Sequence, residues 1–97
     1  MRMQQTEVYP DWINGLRDGV TRARIQVRVD RLVHRNPGQH RNLTDGVSEL
    51  KIDMGSGYRV YYTERNGEII ILLAGGDKSS QTQDIKQAIA LAKGLEE

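Results

Sequence analysis

The sequence predicts one α+β domain over residues 1–97, with the element order β-α-α-β-β-β-α. Two patterns predict this class. An amphipathic helical period lies early in the chain, and three apolar runs separated by glycine turns precede a second helical period. A chain of 97 residues supports one hydrophobic core rather than two. We therefore expect a three-stranded meander with a helical hairpin covering one of its faces.

The N-terminal elements are predicted from short signals. Loose alternation of polar and apolar residues favours a first strand from Gln4 to Val8. Asp11, directly after Pro10, is a candidate N-cap for a short helix that Gly19 ends.

A longer helix is predicted from about Val20 to Arg35, because Asn36-Pro37-Gly38 stops it. At about 100° per residue, its apolar members form one arc and four arginines form the neighbouring arc. The apolar arc consists of Ile25, Val29, Leu32 and Val33, and the basic stripe consists of Arg24, Arg28, Arg31 and Arg35. The basic stripe is either a solvated face or a binding surface.

Three strands are predicted at Val47 to Met54, Tyr58 to Arg65 and Glu68 to Ala74. Asn66-Gly67 between the last two is the strongest short hairpin signal and indicates a type I′ turn. The third strand is apolar on both sides of its pleat, so it should be covered on both faces or lie centrally. The final helix should start at Ser79-Ser80, where Ser80 and Gln83 have capping-box spacing.

The loop at Gly55–Gly57 decides the register of the first hairpin. A two-residue loop would set Ile52 opposite Arg59 and mix core and charge on one face. A three-residue loop sets Ile52 opposite Val60 and supplies a glycine for the left-handed position. We adopt the three-residue loop.

That register places Lys51 opposite Tyr61 and Asp53 opposite Arg59. Counting back from the Asn66-Gly67 turn sets Arg59 opposite Ala74, so the loop from Gly75 to Lys78 starts beside Arg59. Lys51, Arg59 and Lys78 then converge on one concave polar surface. The purely structural interpretation is a cross-strand ion pair between Arg59 and Asp53.

Converging cations suit a phosphodiester. When an RNA 2′-hydroxyl attacks the neighbouring phosphate, fixed Lys and Arg side chains stabilise the charge that grows on the phosphoryl oxygens. A base must accept the hydroxyl proton, and Asp77, Asp84 or a lysine with a lowered pKa are the candidates.

Composition excludes several classes of protein. The chain has no cysteine, so it has neither disulfides nor thiolate metal sites. His34 and His40 have no partner at ligand spacing, and we expect no metal and no cofactor. The apolar run Ile69–Ala74 is too short to span a bilayer, and the N-terminus lacks a signal peptide. These features predict a cytoplasmic protein.

Charge is unevenly divided along the chain. From Arg17 to Arg59, nine basic and five acidic residues give +4, whereas the remainder carries −3, for a total of +1. Eight of those nine bases are arginine, which favours an anionic partner, either nucleic acid or an acidic protein.

Four blocks of sequence, with matching spacing from about Val8 to Leu95, form a specific pattern. They are Arg22–Ile25, Gly46–Ile52, Gly57–Tyr62 and Gly75–Ser79. Together they resemble the phage-derived "addiction module killer protein" group (Gp49-like, HigB-type) of the RelE/HigB/ParE toxin superfamily. The resemblance implies a small antiparallel sheet packed against an N-terminal helical hairpin, with a C-terminal helix.

The resemblance also implies a function. It implies the toxin of a type II toxin–antitoxin system, a metal-independent, ribosome-dependent mRNA endoribonuclease that leaves a 2′,3′-cyclic phosphate. Arg59 matches the arginine of the family's Gly-Tyr-Arg strand, Lys51 the basic residue in the preceding strand, and Lys78 roughly a basic residue after the last strand. Residues expected to contact RNA or the ribosome are Arg24, Arg28, Arg31, Arg35, Arg41 and Tyr61. Alternatively, the basic stripe faces the antitoxin. The implied partners are mRNA, the ribosome and an antitoxin, usually a helix-turn-helix protein encoded beside the toxin, in a hetero-oligomer.

The chain departs from the family at one point. Related nucleases carry a tyrosine or histidine near the C-terminal end, and Gln81–Ile85 contains neither. The general base therefore stays open between Asp77 and Asp84. The alternatives are a non-catalytic ParE-like inhibitor of DNA gyrase, or a decayed toxin that serves only as the antitoxin's partner.

Overall fold

The computed structural model describes residues 1–95 and confirms the α+β class and the predicted order of elements. The elements are β1 (Arg2–Gln5), α1 (Val8–Gly15), α2 (Gly19–Val33), β2 (His40–Asn42), β3 (Val47–Ile52), β4 (Tyr58–Arg65), β5 (Ile69–Asp77) and α3 (Gln81–Gly94). A 3-10 turn, Lys78–Ser80, joins β5 to α3. Within the described residues, no helix combines the length and apolar character needed to cross a membrane.

The five strands form one mixed sheet in the order β1-β5-β4-β3-β2. The predicted meander β3-β4-β5 is antiparallel, and β1 adds to it in parallel with β5. The sheet also has a short edge strand, β2, that the sequence pattern did not predict. This strand is only three residues long and fully exposed, so it has no apolar alternation to reveal it.

Each face of the sheet has its own hydrophobic core. On one face, α1 and α2 pack through residues such as Ile13, Ile25 and Val29 against the apolar side of β3 and β4. On the other face, α3 packs through Ala88 and Ala92. The expectation that the last strand is covered on both faces is therefore confirmed for β5.

The boundaries predicted near the N-terminus are wrong by several residues. The first strand ends at Gln5, because the Thr6 hydroxyl donates to the Leu73 carbonyl oxygen and accepts the Val8 N–H, which starts α1. Asp11 therefore lies inside α1 rather than at its N-cap. Pro10 falls in the first turn, where its missing N–H has no helical partner to lose.

The long helix α2 closely matches its prediction. Asp18 caps it by accepting the Val20 N–H at 3.0 Å and the Thr21 hydroxyl at 2.8 Å. The helix ends at Val33, and Arg35 already has a positive φ of 64° ahead of the Asn-Pro-Gly break. Arg35 is therefore not part of the helical stripe.

The predicted register of β3 and β4 is wrong by two residues. Lys51 pairs with Arg59 rather than with Tyr61, because the connecting loop has five residues, Asp53–Gly57, instead of three. Gly55 and Gly57 adopt positive φ in this loop. A shift of two leaves every side chain on its predicted face, which is why alternation alone could not exclude it.

The predicted register of β4 and β5 is also wrong. Arg65 pairs with Ile69 instead of Glu68, although Asn66 and Gly67 both have the positive φ of a type I′ turn. A bulge then inserts Leu73 as an extra residue in β5. The two shifts move the partner of Arg59 from the predicted Ala74 to Gly76.

Gly75 and Gly76 lie within β5 rather than in the predicted loop. A Cβ on Gly75 would stand 2.2 Å from Cε3 of Trp12, and a Cβ on Gly76 would stand 1.8 Å from Oδ2 of Asp84. The glycines thus make room for α1 on one face and for α3 on the other.

The predicted capping box at the start of α3 does not form. The Ser80 hydroxyl instead donates to Asp84 Oδ2 at 2.6 Å. Asp77 caps the preceding 3-10 turn by accepting the N–H of Ser79 at 2.9 Å. Two carboxylates, those of Asp77 and Asp84, thus hold the start of α3 through hydrogen bonds with nearby serines.

Adding a methyl group at Gly75 or Gly76 should destabilise the fold. We expect Gly75→Ala and Gly76→Ala each to lower the free energy of unfolding by about 1–3 kcal/mol, because Trp12 or Asp84 must shift. Urea unfolding followed by the fluorescence of Trp12, the only tryptophan of the chain, measures this. Gly94→Ala is the matched control, since nothing lies within 4 Å of its Cβ position. Equal stability of Gly75→Ala and Gly94→Ala would contradict the packing argument.

Alkaline pH should also destabilise the protein. Burial raises the pKa of Tyr9 to about 12, above the unfolded value of about 10. The folded state therefore favours the neutral phenol, and this stabilisation is complete below about pH 10 and is lost as the pH rises through about 12. We expect the free energy of unfolding to fall across that window, and to fall less steeply for Tyr9→Phe than for the wild type. A Tyr9→Phe profile parallel to wild type in urea titrations at stepped pH would refute this.

Candidate active site

A polar cleft of about 390 Å³ lies where β2, β3 and β4 meet the start of α3. Its lining comes from four separate segments of the chain, so it exists only once the sheet and α3 have assembled. The lining residues are Gln39, His40, Arg41, Glu49, Lys51, Arg59 and Gln81.

Glu49 is the central residue of the cleft and is only 3% exposed. Its Oε1 lies 3.4 Å from Nε of Arg59 and accepts a hydrogen bond of 2.8 Å from Nε2 of Gln81. Its Oε2 lies 3.2 Å from both Nε and Nη2 of Arg41. Both carboxylate oxygens are thus engaged by partners on β2, β4 and α3.

Arg59 is 6% exposed and lies beneath the surface of the cleft. Its Nη1 donates to the Gly57 carbonyl oxygen at 3.0 Å. Its Nε is within ion-pair distance of Glu49 but is not aligned for a hydrogen bond. The guanidinium is therefore a fixed positive charge with one edge held by protein groups. Its ion-pair partner is Glu49, not the Asp53 that the predicted register implied.

The structure places the three predicted cations near one another. Lys51 is the direct cross-strand partner of Arg59. A Cβ built on Gly57 would lie 3.4 Å from Nη1 of Arg59 and 3.8 Å from Cβ of Lys78, so both residues lie close to Gly57. Lys78 is exposed and lies outside the cleft lining, whereas Lys51 is half-buried within it.

The two predicted proton acceptors do not line the cleft. Asp77 accepts both the N–H and the hydroxyl of Ser79, and the hydroxyl contact holds the pKa of Asp77 below its usual range. Asp84 accepts the Ser80 hydroxyl and lies against Gly76. A carboxylate stabilised in its ionised form is a weaker base, so these contacts argue against Asp77 as the general base.

Tyr61 and Arg28 have structural positions instead of the predicted RNA-facing ones. Tyr61 is fully buried under α3, and burial raises the pKa of its hydroxyl. Arg28 donates to the carbonyl oxygens of Lys51, Pro37 and Gln39 at 2.8–3.1 Å, which holds the segment before β2 against β3. Partial burial, and then Arg31, lower the pKa of Arg28.

The other predicted contact residues differ in availability. Arg41 pairs with Glu49 but keeps 58% of its side chain exposed. Arg35 donates to the Gly67 carbonyl oxygen at 3.2 Å. Arg24 and Arg31 are exposed on α2, away from the cleft lining. The basic stripe is thus divided between structural and accessible arginines.

Four cleft residues were missed from the sequence: Gln39, His40, Glu49 and Gln81. Glu49 lies on the predicted polar side of its strand, and only the packing of α3 over that side shows its burial. His40 Nδ1 lies 2.8 Å from the Gly38 carbonyl oxygen. Because a carbonyl can only accept, Nδ1 carries the proton of the neutral imidazole and Nε2 keeps the lone pair.

The donor set of the cleft suits an anion better than a metal ion. Arg41, Lys51 and Arg59 supply three positive charges against the single carboxylate of Glu49. Among residues 1–95, no cluster of three or more His, Asp or Glu side chains could hold a metal ion.

Comparison with known proteins identifies the family. The model of a family described as "Phage derived protein Gp49-like (DUF891)" matches residues 11–95. The chain belongs to this family. It is a family of toxins from toxin–antitoxin systems. A protein of Haemophilus influenzae, described as uncharacterized, is 43% identical over 95 residues, which cover 98% of this chain and 96% of the relative.

Removing the Glu49 carboxylate should destabilise this Gp49-like fold strongly. Glu49→Ala leaves Arg59 buried without its counterion, and breaking a buried ion pair from one side costs about 3–5 kcal/mol. Urea unfolding measures the loss. Glu64→Ala, an exposed site on β4, is the matched control and should change stability by less than about 0.5 kcal/mol. Similar values for the two variants would show that Glu49 does not hold the cleft together.

Proposed function

We propose that the protein is the toxin of a type II toxin–antitoxin system and acts as a ribosome-dependent mRNA endoribonuclease that arrests translation. The observation that carries this proposal is the cationic cleft, with Arg41, Lys51 and Arg59 on three adjacent strands of a Gp49-like toxin fold. The expected setting is the cytoplasm, where translating ribosomes are found.

In the proposed reaction the cleft binds the scissile phosphate of mRNA. Lys51 and Arg41 are accessible enough to contact phosphoryl oxygens, while the fixed guanidinium of Arg59 adds positive charge from below. The 2′-oxygen bonds to phosphorus as the bond to the 5′-oxygen breaks. The departing 5′-oxygen takes a proton from water, so the products are a 2′,3′-cyclic phosphate and a 5′-hydroxyl. The cations of the cleft stabilise the transition-state charge, and the proposed reaction uses no metal or cofactor.

The reaction also needs a group that accepts the 2′-hydroxyl proton. Asp77 and Asp84 are occupied by serine hydroxyl groups. His40 lines the cleft, and the lone pair on its Nε2 is chemically suited to the task. We therefore add His40 as the first candidate for this role. The ribosome would position the mRNA codon and could supply further groups.

The expected partners follow from the family. An antitoxin, typically a helix-turn-helix protein encoded by the adjacent gene, would bind the toxin in a hetero-oligomer and neutralise it. Ribosome and mRNA are the partners that the nuclease proposal requires.

A non-catalytic function is the second candidate. It is favoured by the absence of tyrosine and histidine from Gln81–Ile85 and by the structural use of Asp77 and Asp84. In this case the same surface would bind DNA gyrase, as in ParE-like relatives, or the chain would survive only as the partner of its antitoxin.

The nuclease proposal predicts a specific loss of function. Lys51→Ala should reduce mRNA cleavage about 100- to 1,000-fold, because one transition-state cation is lost. The fold should persist, since the Lys51 ammonium makes no hydrogen bond or ion pair within residues 1–95 and alanine keeps the carbonyl oxygen that Arg28 contacts. Mapping mRNA 5′ ends within minutes of induction measures cleavage, and growth arrest should disappear in parallel. Lys93→Ala, exposed at the end of α3, is the matched control.

One outcome would reject the nuclease, and another would reject the cleft as its active site. Growth arrest by the wild type with intact mRNA, accompanied by a DNA-damage response, would support the gyrase target. Wild-type cleavage by folded Lys51→Ala would show that the cleft is not the active site. Arg59→Ala, checked for folding by circular dichroism, provides a second variant of the same cleft.

A further inference from the structure

The solvent-facing side of α2 carries an apolar ridge. We call Val20, Ala23 and Val27 the α2 ridge; their i, i+3, i+7 spacing places them on one line along the helix. Val20 is 64% exposed and Val27 is 47% exposed. A β-branched residue on a solvated helix face is less favourable than alanine, lysine or arginine, and here it contributes little to the core. These valines thus have no evident role within the chain.

Two apolar grooves flank the α2 ridge. One, of about 570 Å³, is walled by Ile52 at the end of β3 and by Met54 in the loop that follows. The other, of about 620 Å³, is walled by Met3 and Val33. Both grooves share Val27. A side-chain ridge between two grooves is the surface on which a second helix packs.

The groove beside Ile52 is predominantly basic. Its lining includes Arg24, Arg28 and Arg31, and Asp53 is the one acidic residue among its lining residues. The side chains of Arg24 and Arg31 are exposed and make no hydrogen bond or salt bridge with any of the described residues. The other groove is lined by the acidic Asp30 as well as by Arg31. A helix that buries apolar side chains on the ridge would therefore gain from Asp and Glu on the flank that meets Arg24 and Arg31.

We propose that the α2 ridge and its grooves dock an amphipathic helix of the antitoxin, with acidic residues on the side of its apolar face that meets Arg24 and Arg31. That the partner is an antitoxin rests on the proposed function, whereas the exposed ridge and its grooves are observed independently of it. The exposed valines favour a protein over RNA, because RNA contacts are made chiefly by polar and basic groups and would leave the ridge uncovered.

The docking surface is separate from the candidate active site. The groove beside Ile52 shares Gln39 with the cleft, but its lining includes neither Lys51 nor Arg59. Arg28 links the two places, since it lines the groove and donates to the Lys51 carbonyl oxygen. A bound helix would thus leave Arg59 uncovered while it contacts a residue that holds β3.

The test uses the purified product of the reading frame adjacent to this gene as the probe, with binding measured by calorimetry. The double variant Val20→Asp/Val27→Asp should weaken binding about 30-fold or more, because it places negative charge at the centre of an acidic interface. Leu95→Asp, at a residue 44% exposed at the end of α3, is the control for adding acid at an exposed apolar site.

A charge-reversal pair tests the electrostatic part. Arg24→Glu/Arg31→Glu should weaken binding at low salt and reduce its salt dependence, whereas Arg17→Glu, exposed between α1 and α2, should change both less. Circular dichroism verifies that each variant is folded. The mRNA 5′-end assay, run on Val20→Asp/Val27→Asp, should show cleavage equal to that of the wild type.

The outcomes separate this proposal from the nuclease proposal. Loss of binding only in the ridge and charge-reversal variants supports the docking surface, even if the wild type cleaves no mRNA. Wild-type affinity in Val20→Asp/Val27→Asp overturns it, as does a probe that fails to bind the wild type. Loss of mRNA cleavage with antitoxin binding intact would overturn it in favour of an RNA surface. Concentration-dependent dimers in light scattering, abolished by the ridge variant, would overturn it in favour of a second copy of the chain.

Discussion

The carboxylate of Glu49 is buried beneath α3, and a buried carboxylate needs cations and hydrogen-bond donors from the protein in place of water. Arg41, Arg59 and Gln81 supply them. The network joins β2, β3, β4 and α3 through one side chain. It positions the short edge strand, fixes the guanidinium of Arg59, and ties the start of α3 to the sheet. The proposed chemistry therefore depends on an interaction that also supports the fold.

The position of this network depends in turn on a sheet that is covered on both faces. The bulge at Leu73 and the two glycines after it change which side chains of β5 face α1 and which face α3. Trp12 lies against Gly75 on one face, and Asp84 lies against Gly76 on the other. Because interiors are closely packed, small residues at these two positions determine how near the helices approach.

The structure places the cationic cleft and the α2 ridge on separate surfaces. The cleft lies under the start of α3, whereas the α2 ridge lies on the opposite side of the helical hairpin from its core. A toxin with separate surfaces for RNA and antitoxin could be neutralised without its cations being covered. Arg28 and Gln39 lie between the surfaces, so they are where one site could affect the other.

The sequence by itself determined the class, the order of elements and the face on which each strand residue lies. These properties follow from the spacing of apolar residues and from turn residues, and both are visible within a few neighbouring positions. Ile25 and Leu50 belong to such apolar patterns, and Asn66-Gly67 is such a turn. It also indicated that Lys51, Arg59 and Lys78 lie near one another. Alternation repeats every two residues, so it could not reveal a register shift of two or a single bulge.

Tertiary structure alone decided which charges are free and which are paired. Glu49 and Lys51 are charged residues on the same side of β3. In the structure, α3 buries the Glu49 carboxylate, whereas Lys51 lines the cleft. In the sequence, Arg28 cannot be distinguished from the other arginines of the basic stripe. In the structure, its guanidinium donates hydrogen bonds to three backbone carbonyl oxygens of distant residues. Burial and long-range hydrogen bonding depend on neighbours supplied by other segments, and no local pattern encodes those neighbours.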